Sequence, residues 1–309
     1  KEFIKHITFL KEMGAKVVGV SEQGHSIQGT DLSIFDDKYV MNDEEWDMLC
    51  TGLNKLGKVA KDMGIALCFH HHMGTVVQTA AEIDRMMENT DPELFGLLFD
   101  TGHLAYCGED YMAVLKKYAK RIRHVHLKDI RPDVVAKVKA EKMSFLQGVR
   151  AGAFTVPGDG VIDFKPVFDV LEETGYEGYV LVEAEQDPAK ANPYEYACLA
   201  RKYIAEKTGL DISTVSRVSS GKYAQTPWGT FRLKHFFTES YVTESGEEMS
   251  TRKIKAALRD IIDAENKKKP LSDDALKEEL KKMGFPIARR TVTKYREQMG
   301  QPVARLRKQ

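Results

Sequence analysis

Four short segments of this chain carry side chains able to bind a metal and move protons. They are His70-His71-His72-Met73-Gly74-Thr75, Asp100-Thr101-Gly102-His103, His124-Val125-His126-Leu127-Lys128-Asp129 and Val182-Glu183-Ala184-Glu185. Imidazole nitrogens and carboxylate oxygens contributed by separate strands are the donors that surround a divalent cation such as Zn, Mn or Co. Asp100, His126 and Glu183 are the leading ligand candidates, and His70 is the fourth. Alternate residues of an extended strand share a face, so His70 and His72 point one way and His71 the other. The same spacing directs both Glu183 and Glu185 inward and leaves the choice between them open. His103, Lys128 and Glu185 are candidates for acid–base work beside a metal, while Asp129 is placed to orient a ligand histidine. A different chemistry is written at 288–297, Ala-Arg-Arg-Thr-Val-Thr-Lys-Tyr-Arg-Glu, where basic side chains recur at helical spacing. On a helix beginning near residue 288, Arg289, Arg290, Lys294 and Arg296 are distributed to reach phosphates and base edges, with Val292 or Tyr295 packed inward.

The elements that must hold these groups differ between the two parts. Over residues 1–204 amphipathic helices alternate with short apolar strands, the pattern of repeated β/α units on a parallel sheet. Strands are predicted at 15–20, 65–69, 96–99, 122–126 and 178–183, each followed by polar residues, the first by Ser21-Glu22-Gln23. In a β/α barrel the carboxyl ends of the strands are where side chains converge on substrate. The predicted architecture is therefore α/β, with about five of the eight strands of a (β/α)8 barrel, followed by an all-α helix-turn-helix region.

Charge divides the same way. The 309 residues sum to zero, but residues 1–204 hold 24 Lys/Arg against 32 Asp/Glu and the remainder 22 against 14. An acidic part suits cation binding, and a basic one suits phosphate. No apolar run approaches the ~18 residues that a membrane span needs, and no signal-peptide pattern opens the chain. Cys50, Cys68, Cys107 and Cys198 lack metal or redox spacing and read as free thiols, so a cytoplasmic location is expected. Lys1 is not a start residue, and further sequence is expected upstream.

Taken together, the histidine, Asp100, His126 and Glu183 segments and Phe154-Thr155-Val156-Pro157-Gly158-Asp159-Gly160 resemble inosose dehydratase of the xylose-isomerase-like barrel superfamily. The resemblance covers residues 1–204. It implies a lyase of myo-inositol catabolism that removes water from 2-keto-myo-inositol, an inosose, with Co or Mn as the metal. That family's barrel begins about three strands earlier. Five strands do not close a barrel and leave two edges open, so little turnover is expected from this chain alone.

Residues 205–309 resemble a second family. Ala205-Glu206-Lys207-Thr208-Gly209-Leu210 followed by Asp211-Ile212-Ser213-Thr214-Val215-Ser216-Arg217-Val218 reads as a helix-turn-helix over about 199–220, offering Ser213, Thr214, Ser216 and Arg217 to a major groove. Lys222-Tyr223, Thr226-Pro227-Trp228-Gly229-Thr230-Phe231 and the strip at 288–297 are similar to the DNA-binding domain of sigma-54 transcription factors. The strip matches that family's RpoN box and departs at Thr293, where alanine is usual. The resemblance implies promoter DNA with GG and GC elements as partner, together with core RNA polymerase, although the polymerase-binding region of a sigma factor has no counterpart here. Three readings of the whole follow: a chimeric chain joining two family fragments, an inositol-derivative-sensing regulator, and a dehydratase with an incidental DNA-binding tail.

Overall fold

The computed structural model describes residues 2–209, 223–226, 229–232, 240–242 and 248–308, and divides into two compact units, Lys1–Val215 and Ser216–Gln309. The recognition-helix candidates Ser213, Thr214, Ser216 and Arg217 lie outside the described residues.

The first unit is built on a five-stranded parallel sheet in which β1 (Val17–Val20), β2 (Ala66–His70), β3 (Phe95–Asp100), β4 (Ile122–Leu127) and β7 (Val180–Val182) lie side by side in that order. Each predicted strand is present, its ends within two residues of the expected ones. All six residues of β3, Phe-Gly-Leu-Leu-Phe-Asp, are buried. A continuous apolar run of this kind suits a parallel strand that helices cover on both faces. Those helices start where the sequence supplies caps. Asn42 and Glu45 form a capping box for α2 (Asp43–Asp62), and Thr79 with Glu82 forms another for α3 (Ala80–Glu88). Each box satisfies amides that a helix start leaves without partners. The core between layers is made by Leu67, Phe69, Leu97, Phe99, Val125 and Leu127 with Ile83, Met86, Leu115 and Phe164.

Strand register decides what meets at the carboxyl ends. His70 pairs with Leu98, Asp100 with His126, and His126 with Leu181. A second layer stands beyond these ends: α4 (Thr101–Cys107), a small antiparallel pair of β5 (Asp129–Ile130) with β6 (Phe154–Thr155), and the helices α6 (Pro132–Ala140) and α7 (Phe145–Ala151). Tyr106, Phe145, Phe154, Met73 and Ile34 form its apolar floor. The sheet stays open among the described residues, with β1 and β7 as its outer strands, and β7 leaves Val180 and Leu181 more than 40 % exposed. A last helix, α9 (Pro193–Thr208), runs without interruption past residue 204, where the sequence resemblances change over.

In the second unit two short hairpins that the sequence reading did not include, β8 (Tyr223–Thr226) with β9 (Gly229–Arg232) and β10 (Ser240–Val242) with β11 (Glu248–Ser250), precede the expected helices. The helices are α10 (Thr251–Ala264), α11 (Asp273–Lys282), α12 (Arg289–Gln298) and a short α13 (Ala304–Arg307). Ile254, Leu258, Ile262, Leu276, Leu280, Ile287, Val292 and Tyr295 make their shared core. Two buried arginines tie the helices at their ends. Arg307 reaches both oxygens of Glu265 at 2.8 and 3.0 Å, and Arg296 reaches Asp273 at 2.8 and 3.2 Å.

Burial pushes the Asp273 carboxyl up, but hydrogen bonds from Arg296 and Thr293 outweigh it and hold it below the ordinary carboxylate range. A carboxyl depressed on folding contributes stability that is present above its unfolded pKa and lost as pH falls through its folded one. Helicity of the second unit is therefore expected to become more sensitive to denaturant as pH falls below about 4. Asp273→Asn should remove much of that pH dependence in circular dichroism melts, and an unchanged profile would show that the pair contributes nothing.

Candidate metal centre

Four side chains from four adjacent strands meet at the carboxyl end of the parallel sheet. Asp100, the last residue of β3, is fully buried. Its Oδ2 stands 3.3 Å from His70 Nε2 and 3.4 Å from His126 Nδ1, while His126 Nδ1 is 2.6 Å from Glu183 Oε2. The donor atoms of His70, Asp100, His126 and Glu183 all lie within 4.8 Å of one another. Bonds of about 2.1 Å to a tetrahedral cation place its donors about 3.4 Å apart. The spacing around Asp100 is close to that edge. His126 Nδ1 and Glu183 Oε2 are both buried without a well-directed hydrogen bond. Buried polar atoms are ordinarily satisfied, so two that converge on a common point mark a place for a cation. One Asp, one Glu and two His form a donor set suited to Zn, Mn or Co.

Neighbouring groups hold these ligands in place. The amide of Asp100 donates to His71 Nε2 at 3.2 Å, and the amide of His103 donates to Asp100 Oδ1 at 3.0 Å. His71 thus sits behind the ligand layer on the opposite strand face from His70. The Thr101 hydroxyl donates to the carbonyl of Lys128 at 2.7 Å, binding the end of β4 to the start of α4.

A second group adjoins the first. Lys128 Nζ is 2.9 Å from both His103 Nε2 and Glu185 Oε2, 3.3 Å from Glu183 Oε2 and 3.6 Å from Asp100 Oδ2. His72, expected on the His70 face without a role, has Nε2 3.6 Å from Glu185 Oε1 and its ring centroid 3.5 Å from that of His103, the two rings tilted by 42°. Its Nδ1 meets Gln28, a residue with no motif to flag it. Glu183 and Glu185 are thereby separated, the first toward His126 and the second toward His72, His103 and Lys128.

Electrostatics follow from this crowding. Burial pushes the Asp100 carboxyl up, but Lys128, His103 and its histidine hydrogen bonds outweigh burial and leave it far below the carboxylate range. Glu183 is raised by burial, then lowered by His126 and Lys128 to about 2. Burial disfavours a charged His126, yet Asp100 and Glu183 together lift it to about 9. His103 is driven well down by burial and by Lys128, so its ring is neutral. Lys128 loses basicity to burial but regains more from Asp100, Glu185 and Glu183, and it remains an ammonium.

With this geometry established, sequence comparisons agree on its origin. Residues 1–216 match the sequence model of the xylose isomerase-like TIM barrel. The chain belongs to that family. An inosose dehydratase of Clostridium beijerinckii is 66 % identical over 211 residues, covering 68 % of this chain and 71 % of that one. One from Geobacillus thermodenitrificans is 62 % identical over 209 residues, 67 % and 70 % of the two chains. Among solved structures, the IOLI protein with a bound zinc atom aligns at a TM-score of 0.46 and 21 % identity over 71 % of this chain and 69 % of that one. Residues 178–309 match the sigma-54 DNA binding domain, so the two matches overlap over 178–216, a stretch holding β7, Glu183, Glu185 and α9.

Two expectations need correction. Asp129 does not orient a histidine. Its Oδ1 accepts the amides of Ile130, Val161 and Ile162 at 2.8, 2.9 and 3.0 Å, anchoring the loop that follows β6. Arg296, expected among the DNA-facing residues, is only 2 % exposed, because it is paired with Asp273 and donates to the carbonyl of Gln301. Arg289, Arg290 and Lys294 are exposed on α12, Arg289 lying 3.5 Å from Asp274 at the surface. Residues 21–23 stay outside the metal group, with Glu22 accepting the amides of Gly24 and His25.

Glu183→Gln is expected to weaken Mn binding by more than the ~10- to 100-fold that loss of an outer partner costs. Glu185→Gln should leave the ion in place. Equilibrium dialysis of both variants decides it, and equal losses would mean that the two glutamates share the role.

Proposed function

We propose that the first unit carries a metal-dependent hydro-lyase site for a polyol ketone of the inosose type, and that the second binds promoter DNA. The observation that carries the first reading is the pairing of the His70–Asp100–His126–Glu183 donor set with an acid–base group at hydrogen-bond distance beside it. Co or Mn is the expected metal. When bound it would supply polarisation of the substrate carbonyl, which acidifies the neighbouring C–H. Elimination of water from such a ketone needs one group to take the α-proton and another to protonate the departing β-hydroxyl. Glu185, ionised at neutral pH, is the acceptor for the α-proton. Lys128 Nζ is the donor to the hydroxyl, which leaves as water. At 2.9 Å, Glu185 then returns its proton to the Lys128 amine, and both groups are restored. Neutral His103 holds the amine in line. Phe154, whose ring lies 5.0 Å from Lys128 Nζ, and Phe145, 5.4 Å from the His72 ring, form an apolar wall against water.

For the second unit the support is the sigma-54 match together with the exposed basic strip on α12. Arg289, Arg290 and Lys294 face outward to base edges and phosphates of GG- and GC-containing elements. Arg296 acts from behind by fixing α12 on α11.

Because the sheet is open, the Mn-loaded chain is expected to convert 2-keto-myo-inositol to its dehydrated dione only slowly, followed by product absorbance. Glu185→Gln should slow turnover by about 10²- to 10⁴-fold. Metal uptake without any turnover would leave a binding site and rule out the lyase reading. For DNA, Arg290→Ala should cost about 1–3 kcal/mol at one base position, whereas Lys294→Ala should weaken all duplexes alike and flatten the salt dependence. A chain that binds scrambled and promoter duplexes equally well would refute the promoter assignment. Adding inosose during the titration separates the sensing regulator, whose DNA affinity would change, from two modules that act independently.

A further inference from the structure

Two sets of potential ligands stand side by side at the sheet end, His70–Asp100–His126–Glu183 and His72–His103–Glu185. By donor chemistry and spacing both qualify. In the second set His72 Nε2 and His103 Nε2 lie 3.6 and 3.5 Å from the two oxygens of Glu185, again near the edge of a tetrahedron around a cation. Two-metal sites place their ions about 3.5–4 Å apart and are common where carboxylates cluster in this way.

We infer that this mouth takes one divalent cation, because the Lys128 ammonium fills the position that a second ion would need. The inference rests on the metal reading proposed above. Lys128 Nζ is 2.9 Å from His103 Nε2 and 2.9 Å from Glu185 Oε2, closer to each than they are to one another. It also lies 3.3 Å from Glu183 and 3.6 Å from Asp100, so it bridges both sets as a shared cation would. The side chain cannot swing away. It is completely buried, and its stem runs so close to Gly102 that a methyl group there would stand 2.5 Å from Lys128 Cγ.

Charge points the same way. The pocket holds three carboxylates, Asp100, Glu183 and Glu185, and one ammonium, a sum that a single divalent ion brings to zero. A second divalent ion would leave two uncompensated positive charges in a largely buried site, an arrangement that low dielectric strongly disfavours. The chain thus supplies its own second cation, fixed in place and carrying transferable protons that a metal ion lacks.

Mn²⁺ alone is the probe. The full chain is dialysed against Mn²⁺, its bound metal is counted by elemental analysis, and its electron paramagnetic resonance spectrum is recorded. One Mn per chain with an isolated-ion spectrum is expected for the wild type and for Lys128→Arg. Lys128→Met keeps the stem and removes the charge. It should bind two ions showing the exchange coupling of a close pair, and adding Glu185→Gln to it should return the count to one. Two coupled ions in the wild type would overturn the inference while leaving the metal reading intact. A Lys128→Met variant with wild-type circular dichroism and a single ion would also overturn it. If that variant does not fold, the counts for the wild type and Lys128→Arg decide alone. No ion in the wild type would remove the metal reading, and this inference with it.

Discussion

Three carboxylates crowded together at the end of a parallel sheet, one of them fully buried, must be neutralised, and the rest of the first unit is arranged around that requirement. Asp100 is fully enclosed, and the side chains of Glu183 and Glu185 are half-buried beside it. Isolated in such a place, each would gain a proton or draw in water. Lys128 prevents this by touching all three, while the histidines next to them provide nitrogen donors and little fixed charge of their own. His126 is the exception. Squeezed between Asp100 and Glu183, it is made basic enough to hold a proton, and a cation seated there would take that proton's place.

Parallel pairing is what allows four neighbouring strands to aim residues at or next to their carboxyl ends at one point. Their carboxyl ends lie on the same side of the sheet, and the pairing of Asp100 with His126 sets two ligands in adjacent strands at the same level. The outer layer then closes the pocket from above. Asp129 gathers the amide of Ile130 and two loop amides, Tyr106, Phe145 and Phe154 form an aromatic floor, and the absent side chain at Gly102 leaves a channel for the Lys128 stem. The weakest wall is β7, a three-residue outer strand that brings in Glu183 and Glu185 yet leaves its own apolar residues partly exposed.

The second unit meets a related electrostatic demand differently. Its helices are rich in charge and share one apolar core, and two arginine–carboxylate pairs, Arg296 with Asp273 and Arg307 with Glu265, fix their ends. Planar guanidinium groups pair with carboxylates in a defined orientation, so these contacts set angles as well as adding attraction. Thr293, the position where the basic strip departs from the RpoN box it resembles, donates to Asp273 at 2.8 Å and joins the same pair.

The sequence by itself determined the five strands of the parallel sheet, the polar residues at their ends and the resemblance of each part to a known family, because apolar runs and short motifs are local properties. Asp100, His126 and Glu183 could be named as candidates for the same reason: each stands at or next to the carboxyl end of an expected strand. Only tertiary structure separated Glu183 from Glu185, since a spacing of two residues gives both the same direction and only the partners across the pocket tell them apart. It also brought in His72 and Gln28, which face each other from segments 44 residues apart. Asp129 and Arg296 were misread for a common physical reason. A charged side chain beside a motif has the composition of a functional group, but its role depends on which distant amide or carboxylate lies within hydrogen-bond reach once the chain has folded.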